Sequence, residues 1–580
     1  MGKKIASYGL DFMIRISEFF LVLIIIIDCN SIYRHAVDVT ADLKKWCMVA
    51  SSVMAFLLIL FYVLKDRENF RCILEYKALF VISLLFCLEF NAFNSLEIIQ
   101  ADMGNQIQNY GEYFIGFFLI FMNLCVVLFR IYRKNGESFR LLFLIEKVIV
   151  FLTVVSLILW VGTCLLELWG KDSDVFVFWG GEHYYSNHLN LFVRRWWYVG
   201  DLKKNLSIFV EPPMFGLFLG FSLYTELFLK KKSNLGIVAI LVLGLISCRA
   251  ILAIVISLGA ALFVLTEMLW KKKGAKLLIP VIWIAAFAGA VGLIIYKSIV
   301  GWGSFSVHVD DFVACFKCWK EYPIFGCGYD YLNPIFYYAS DFRMDNLGMS
   351  NSAGVVLAEG GILLFIYYVI PFVLMMTGFF KGNRKLAYWS AGMFLFWVVV
   401  IFHARTFVFV LMALGYSMVD VETHLLNKKE GQKRIKCSLW IFKENQGEEG
   451  EGWFSKKILD LPDGMIVMMG AFLVFTALYG LLCGTWFSLR NVIVAILVLL
   501  AEVVVLVLNL KKKFSKREMT LFQIEFWMAY VLFGQPYRVL NDFMTRTNLR
   551  TQDVWWQFIA FVLVLYGVGM LVDDVKRNRF

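Results

Sequence analysis

The sequence carries little charge for its length. Only 17% of the 580 residues are Asp, Glu, Lys or Arg, whereas about a quarter of the residues are charged in a typical soluble domain. In contrast, 60% are hydrophobic. Apolar runs of about 20 residues, each long enough to cross a bilayer as a helix, recur along the chain. We therefore predict an all-α, polytopic transmembrane helical bundle.

Several signals of other protein classes are missing. No Walker A loop or Rossmann fingerprint is present, so nothing points to a nucleotide cofactor. The apolar run after residues 3–4 leads to the polar residues 28–30 and not to a small-residue cleavage site, so we expect no cleavable signal peptide. The 12 cysteines are scattered, and the close group Cys315, Cys318 and Cys327 lacks a second cysteine pair. We therefore predict no metal site and no cofactor.

The net charge of +11 comes from basic residues between the apolar runs. In a soluble protein this charge would point to nucleic acid, but the positive-inside rule of membrane proteins explains it here, so we expect no nucleic-acid partner. The loop 96–112 has no Lys or Arg and is assigned to the outside. With both termini cytoplasmic, the charges fit sixteen spans: 10–28, 47–64, 78–95, 113–130, 142–168, 211–229, 235–248, 250–269, 277–298, 352–379, 387–403, 406–421, 465–486, 490–510, 519–535 and 555–572.

Three long segments separate these spans. Segments 169–210 and 299–351 are predicted outside the membrane. Segment 422–464 is predicted inside, and its Glu- and Gly-rich stretch is typical of a solvated linker. The chain is therefore expected to have a twelve-span core at 1–421 and a four-span C-terminal unit at 465–580.

Charged side chains are predicted at three outer ends of spans. Glu211 precedes two prolines, which fit the first turn of a helix, so it is either part of a helix start or a functional carboxylate. Arg249 and Arg405 each lie in a tight turn between two spans. Guanidinium groups suit phosphate oxygens, so a pyrophosphate is a natural ligand for converging arginines. Independent arginines at the membrane interface are the alternative.

The longest polar break in the middle of the chain precedes the tenth span. Residues 310–322 have the apolar spacing of an amphipathic helix, and Asp310 and Asp311 are placed to cap it. A turn rich in Pro and Gly at 322–326 ends this helix. Asn351 then opens the next span.

These motifs resemble those of a known family. A helix, then YPIFGCGYDYLN, a variable interval and NSAGVVLAEGG are similar to the signature of the bacterial O-antigen polymerase and ligase family. The Glu-Pro-Pro sequence at 211–213 and the Ser-Cys-Arg sequence at 247–249 resemble two further motifs, and the order agrees over about residues 140–421. The resemblance implies an inverting, metal-independent glycosyltransferase. It implies an undecaprenyl-pyrophosphate-linked glycan donor and an active side on the outer face of the bacterial cytoplasmic membrane.

The resemblance also implies roles for individual residues, because in this family arginines bind the pyrophosphate and an acidic residue or histidine activates the acceptor hydroxyl. The predicted pyrophosphate-binding residues are Arg195, Arg249 and Arg405; the alternative catalytic bases are Glu211, His308 and Asp311; Asn351 has a substrate-binding or structural role. Two positions depart from the family pattern. His308 stands where many members have arginine, and Asn351 stands where ligases commonly have histidine, which favours a polymerase.

The predicted function is polymerisation of lipid-pyrophosphate-linked oligosaccharide repeats into a cell-surface polysaccharide. The expected partners are this lipid-linked substrate, membrane lipids and other polysaccharide-assembly proteins. Three alternatives stay open: a ligase that transfers the glycan to another acceptor, a lipid-linked-oligosaccharide transporter or flippase, and a non-catalytic assembly or channel subunit. A transporter is less favoured because we find no internal repeat and because the polar groups collect on one side.

Overall fold

The computed structural model describes residues 2–35, 43–100, 113–168, 171, 173–178, 182–195, 204–272, 274–300, 302–343, 348–380, 382–425 and 433–439. The predicted C-terminal unit at 465–580 and most of the predicted linker at 422–464 lie outside these residues.

The described part of the chain is mostly helical. Its helices are α1 (Gly2–Asp28), α2 (Ile32–His35), α3 (Leu43–Lys65), α4 (Phe70–Gln100), α5 (Ile115–Lys134), α6 (Arg140–Leu165), α7 (Pro212–Leu229), α8 (Leu235–Cys248), α9 (Ile251–Trp270), α10 (Leu278–Val300), α11 (Trp302–Glu321), α12 (Asn333–Phe336), α13 (Ser352–Met376), α14 (Arg384–Val399) and α15 (Thr406–Ser417). Short 3-10 turns lie at Arg67–Asn69, Ala275–Leu277, Asp341–Arg343 and Thr377–Phe379. Apart from α2, α11 and α12, each of these helices overlaps one of the first twelve predicted spans.

Six helices in the described residues are long and apolar enough to cross a membrane. They are Lys45–Lys65, Ile115–Lys134, Arg140–Leu165, Pro212–Leu229, Ala253–Trp270 and Ser352–Phe379. Several other helices are apolar but shorter, including α8 and α15. The helices therefore indicate a membrane protein with several spans, in agreement with the hydropathy of the sequence.

Two small antiparallel sheets depart from the expected all-α fold. The first has the order β1 (Ser173–Phe178), β2 (Glu182–His188), β3 (Phe192–Arg195), and it lies within the predicted outer segment 169–210. The second pairs β4 (Val419–Leu425) with β5 (Lys433–Leu439). In both sheets the backbone N–H and C=O groups are paired between strands instead of along a helix.

Some boundaries were predicted wrongly. The amphipathic helix expected at 310–322 begins at Trp302, so Asp310 and Asp311 lie in the middle of α11 and do not cap it. Helix α14 ends at Val399 and α15 at Ser417, four residues before the predicted ends of these spans. The polar residues after each end take part in turns or in β4, which hydropathy alone does not show.

Glycines allow α7 and α14 to pack closely. A Cβ added at Gly220 would lie 2.2 Å from the ring of Phe396, and one at Gly392 would lie 2.3 Å from the ring of Tyr224. Small residues permit such close approach between helices in membranes, where packing contacts contribute much of the stability. The contact places the N-terminal end of α7 and the chain that follows α14 in the same part of the bundle.

A buried carboxylate joins α1 to α3, α5 and α6. Glu18 is 1% exposed, and it accepts hydrogen bonds from the hydroxyls of Tyr62 (3.2 Å) and Tyr132 (2.9 Å). Arg140 forms an ion pair with the same carboxylate, with 2.7 Å between Nε and Oε1. Because its oxygens are satisfied within the protein, Glu18 has a structural role.

Candidate functional site

The ends of three helices meet at Asn30, just after α1. The backbone of Asn30 is left-handed, with φ of 51°. Its side-chain Oδ1 accepts a hydrogen bond from Arg405 Nε (3.0 Å), directly before α15. Its Nδ2 donates to Glu211 Oε1 (3.4 Å), directly before α7. Two residues predicted from the sequence, Glu211 and Arg405, are thus brought together by an asparagine that the sequence did not indicate.

The same cluster contains an ion pair. Arg34 of α2 pairs with Asp28 at the end of α1, and both side chains are buried. The other oxygen of Asp28 accepts the backbone N–H of Thr406, at the first turn of α15, over 2.7 Å. We call the residues Asp28, Asn30, Arg34, Glu211 and Arg405 the Asn30 cluster.

Arg405 is buried without a carboxylate in direct contact, although the charge of nearby Asp28 favours its charged form. Burial, together with the nearby Arg34 guanidinium, lowers the pKa of Arg405 to about 10. Within the described residues, no carboxylate lies within 4.0 Å of its nitrogens, and its hydrogen-bond partner is the neutral amide of Asn30. Arg405 directly precedes α15, and the first N–H of this helix already binds the carboxylate of Asp28. The Arg405 guanidinium is therefore the group of the cluster that could take a negatively charged ligand.

Arg249 lies next to the start of α7. It occupies the left-handed position that ends α8, with φ of 55°, and only Ala250 separates it from α9. The predicted tight turn between these two helices is therefore confirmed. The turn packs on the first turn of α7, because Cys248 Sγ lies 3.1 Å from the carbonyl oxygen of Pro212. The Arg249 side chain is exposed beside the helix start that presents Glu211.

Arg195 is the last residue of β3, where it pairs with Tyr185. The hydroxyl of Tyr185 donates to the carbonyl oxygen of Val210 over 2.6 Å, so the sheet lies beside the residue that precedes Glu211. The backbone of Arg195 is thus near the Asn30 cluster, while its side chain lies outside the described part of the structure.

Helix α13 is interrupted where the sequence reads Glu-Gly-Gly. Gly361 has φ of 62° and ψ of −167°, which are not helical values. The segment 323–330 packs into the break: the N–H of Cys327 donates to Ala358 O (2.9 Å) and the N–H of Gly328 donates to Glu359 O (3.0 Å). A Cβ at Gly361 would lie 2.2 Å from Ile324 O, so this close approach requires glycine.

Asn94 of α4 secures this break. Its Nδ2 donates to Phe325 O (2.6 Å) and to Glu359 O (2.8 Å), and its Oδ1 accepts the N–H of Tyr329 (2.8 Å). Asn94 is 3% exposed. One buried amide therefore binds three backbone groups at the break, of which Glu359 O also accepts the N–H of Gly328.

A carboxylate and an imidazole face each other beside the break. Glu359 Oε2 lies 3.1 Å from His403 Nε2 and accepts the N–H of Asp330 over 2.9 Å. Both side chains are buried, whereas Glu359 Oε1 and His403 Nδ1 have no hydrogen-bond partner among the described residues. We call Glu359 and His403 the Glu359 pair. A buried carboxylate in a membrane helix is a functional candidate.

Tyr329 lies between the Glu359 pair and the Asn30 cluster. Its ring centroid is 6.3 Å from that of His403. Burial raises the pKa of Tyr329; the charge of Glu359 raises it further, and that of Arg405 lowers it. The two polar groups are therefore neighbours, and His403 and Arg405 share one short turn between α14 and α15.

The remaining predicted residues lie on α11 and at the start of α13. Asp311 is fully buried in an ion pair with Arg343, and Ser350 donates to its other oxygen over 2.5 Å. Burial raises the pKa of Asp311. His308 is partly buried one turn earlier. Asn351 caps α13, because its Oδ1 accepts the N–H of Gly354 over 2.7 Å.

The structure does not join all predicted residues into one group. Contacts connect Glu211 with Arg405 and place Arg249 next to Glu211, whereas Asp311 is engaged by Arg343. Sequence reasoning missed Asp28, Asn30, Arg34, Glu359 and His403 as site residues. A signal existed for Glu359, which is a carboxylate in an apolar run followed by two glycines.

Comparison with known proteins returned no match. No protein-family model matches the chain, and no curated protein matches its sequence. Within the described residues, no group of three His, Cys, Asp or Glu side chains is arranged to hold a metal ion.

Proposed function

We propose that the protein is a membrane glycosyltransferase that polymerises lipid-pyrophosphate-linked oligosaccharide repeats into a cell-surface polysaccharide. The observation that carries this proposal is the Asn30 cluster. There, Arg405 is held by a neutral amide at a helix N-terminus, with Arg34 nearby, at one end of an apolar helical bundle. A pyrophosphate attached to a membrane lipid has the charge and the location that such a cluster suits.

In this proposal, the arginines stabilise the leaving group. The oxygen of an acceptor sugar forms a bond to the anomeric carbon of the donor glycan. The bond from that carbon to the pyrophosphate oxygen breaks, and its electron pair leaves with the lipid pyrophosphate. Arg405, with Arg34 and Arg249 nearby, would offset the charge that develops on this oxygen. The acceptor proton passes to a base, and the anomeric configuration is inverted.

A genetic experiment tests this function. In the native bacterium, Arg405→Ala is expected to abolish long polymer and to cause single lipid-linked repeats to accumulate. Arg249→Ala is expected to weaken polymerisation in the same direction. Arg71→Ala is the matched control, because Arg71 is an exposed arginine that pairs with Glu75 in α4. Normal polymer length in the Arg405 variant, with protein present in the membrane, would contradict the proposal.

The interrupted helix favours a second candidate, a flippase for the same lipid-linked oligosaccharide. Transporters often bind their substrates where a membrane helix is broken, as α13 is at Gly361. Purified protein in vesicles separates the two functions. Glycan transfer between two lipid-linked repeats supports the polymerase. Movement of the repeats across the bilayer without transfer supports the flippase.

A further inference from the structure

We infer that His403 is the catalytic base of this enzyme and that Glu359 positions it. The inference rests on the proposed glycosyltransferase function and assigns the base within it. The bases expected from the sequence were Glu211, His308 and Asp311. Of these, Glu211 accepts a hydrogen bond from Asn30, and Asp311 is paired with Arg343.

The hydrogen bond between the two side chains determines which imidazole nitrogen is free. Glu359 Oε2 lies 3.1 Å from His403 Nε2. If Glu359 is ionised, it can only accept hydrogen bonds; Nε2 then carries the hydrogen, and Nδ1 keeps its lone pair. Carboxylates orient the catalytic histidines of many hydrolases in this way. Glu359 is itself held in place, because Asp330 donates its N–H to the same oxygen over 2.9 Å.

The two atoms without partners fit a sugar. His403 Nδ1 and Glu359 Oε1 are buried acceptors with no hydrogen-bond partner among the described residues. A buried acceptor without a donor costs roughly 1–3 kcal/mol, so a ligand that supplies donors is favoured there. Neighbouring hydroxyl groups of an acceptor sugar would donate to both atoms.

His403 lies close in the chain to Arg405, the residue proposed to bind the pyrophosphate. His403 and Arg405 lie in one turn, and the N–H of Arg405 donates to Phe402 O over 3.1 Å. Ser352 fixes this turn from α13: its hydroxyl donates to Val400 O (2.6 Å) and accepts the N–H of Phe402 (2.8 Å). His403 and Arg405, the residue proposed to bind the pyrophosphate, are therefore held two residues apart in one turn.

Other titratable groups also surround the imidazole. Tyr368 of α13 donates its hydroxyl to the backbone carbonyl of His403 over 2.6 Å, and the ring of Tyr329 meets the imidazole edge to face. Arg405 and Asp28 lie beyond Tyr329. Of these groups, only Glu359 forms a hydrogen bond to the imidazole ring within the described residues.

The proton balance of the step is simple. As the acceptor oxygen attacks the anomeric carbon, its proton moves to His403 Nδ1. The electron pair of the broken carbon–oxygen bond leaves with the lipid pyrophosphate. The resulting imidazolium, stabilised by Glu359, then loses its proton to water.

The test measures transfer by the purified full-length protein. The substrate is the lipid-linked single repeat extracted from a strain of the native bacterium that lacks the protein. His403→Gln is expected to lower kcat at least a hundredfold with little change in KM, because a positioned base contributes roughly 100- to 10,000-fold. Glu359→Gln is expected to lower kcat less. It should also move the acidic limb of the plot of kcat against pH to lower pH, because a neutral amide stabilises imidazolium less.

Glu18→Gln is the control, since it alters a buried carboxylate in a membrane helix away from this turn. It should leave the pH profile unchanged. Full transfer by His403→Gln, or an unmoved acidic limb in Glu359→Gln, would overturn the inference while the polymerase function stands. No transfer by the unaltered protein would instead count against the proposed function.

Discussion

Replacing Arg405 with glutamine is expected to stabilise the protein and, under the proposed function, to remove polymer synthesis. Lowering the pKa of Arg405 to about 10 corresponds to roughly 3 kcal/mol of unfavourable free energy for its charge, at about 1.4 kcal/mol for each tenfold change in proton affinity. Loss of the hydrogen bond to Asn30 offsets about 1 kcal/mol of the gain. The free energy of unfolding of the variant should therefore be roughly 2 kcal/mol higher than that of the unaltered protein.

The same substitution at Arg343 should have the opposite effect. Arg343 is 2% exposed and is paired with Asp311 and Asp310. Removing one partner of a buried ion pair leaves the other charge unpaired, which costs about 3–5 kcal/mol. Arg343→Gln therefore serves as a matched control of opposite sign.

Unfolding in mixed micelles, followed by tryptophan fluorescence as SDS is added, measures both variants. Inorganic pyrophosphate is then added as a probe; it should stabilise the unaltered protein but not Arg405→Gln, because a ligand that binds only the folded state raises its stability. If Arg405→Gln loses more than about 1 kcal/mol, its guanidinium contributes net stability and the reasoning from uncompensated charge is wrong.

Three further predictions concern single residues. Asn94→Ala should lower the free energy of unfolding by roughly 2 kcal/mol, since Phe325 O and the N–H of Tyr329 lose their partner while Glu359 O keeps the N–H of Gly328; a change below about 1 kcal/mol would show that the break in α13 does not depend on Asn94. Asp311 has a pKa raised above its ordinary 3.8, so its folded state binds a proton more tightly than its unfolded state. The stability of the unaltered protein relative to Asp311→Asn should therefore be greatest in acid and fall as the pH rises through the folded-state pKa; a pH-independent difference would contradict this. Arg249→Gly should raise stability by roughly 1 kcal/mol, because the position is left-handed, yet should weaken polymerisation. Unchanged polymer length in this variant would remove Arg249 from the site.

The helices of the core could largely be predicted from the sequence, because each requires only a local run of apolar residues. The tight turn at Arg249 and the helix start after Glu211 were predicted for the same reason. The two small sheets were missed because their strands are short. The cap assigned to Asp310 and Asp311 was wrong because the helix begins eight residues earlier and because their partner, Arg343, is more than 30 residues away.

The candidate site could be predicted only in part. Glu211 and Arg405 were found because charged residues at the ends of spans stand out. Their common partner Asn30 is separated from Arg405 by 375 residues, and Glu359 from His403 by 44. No local pattern encodes contacts of this kind. They arise from the way the ends of the helices meet in the folded chain.

The side chain between Arg405 and Glu211 is an amide, and this has a chemical consequence. Asn30 presents oxygen to the guanidinium and nitrogen to the carboxylate. Conversion to aspartate would place a negative charge against Arg405 and beside Glu211. Asn30→Asp would thus set one of the protein's own carboxylates against the Arg405 guanidinium, where it would compete with any anionic ligand.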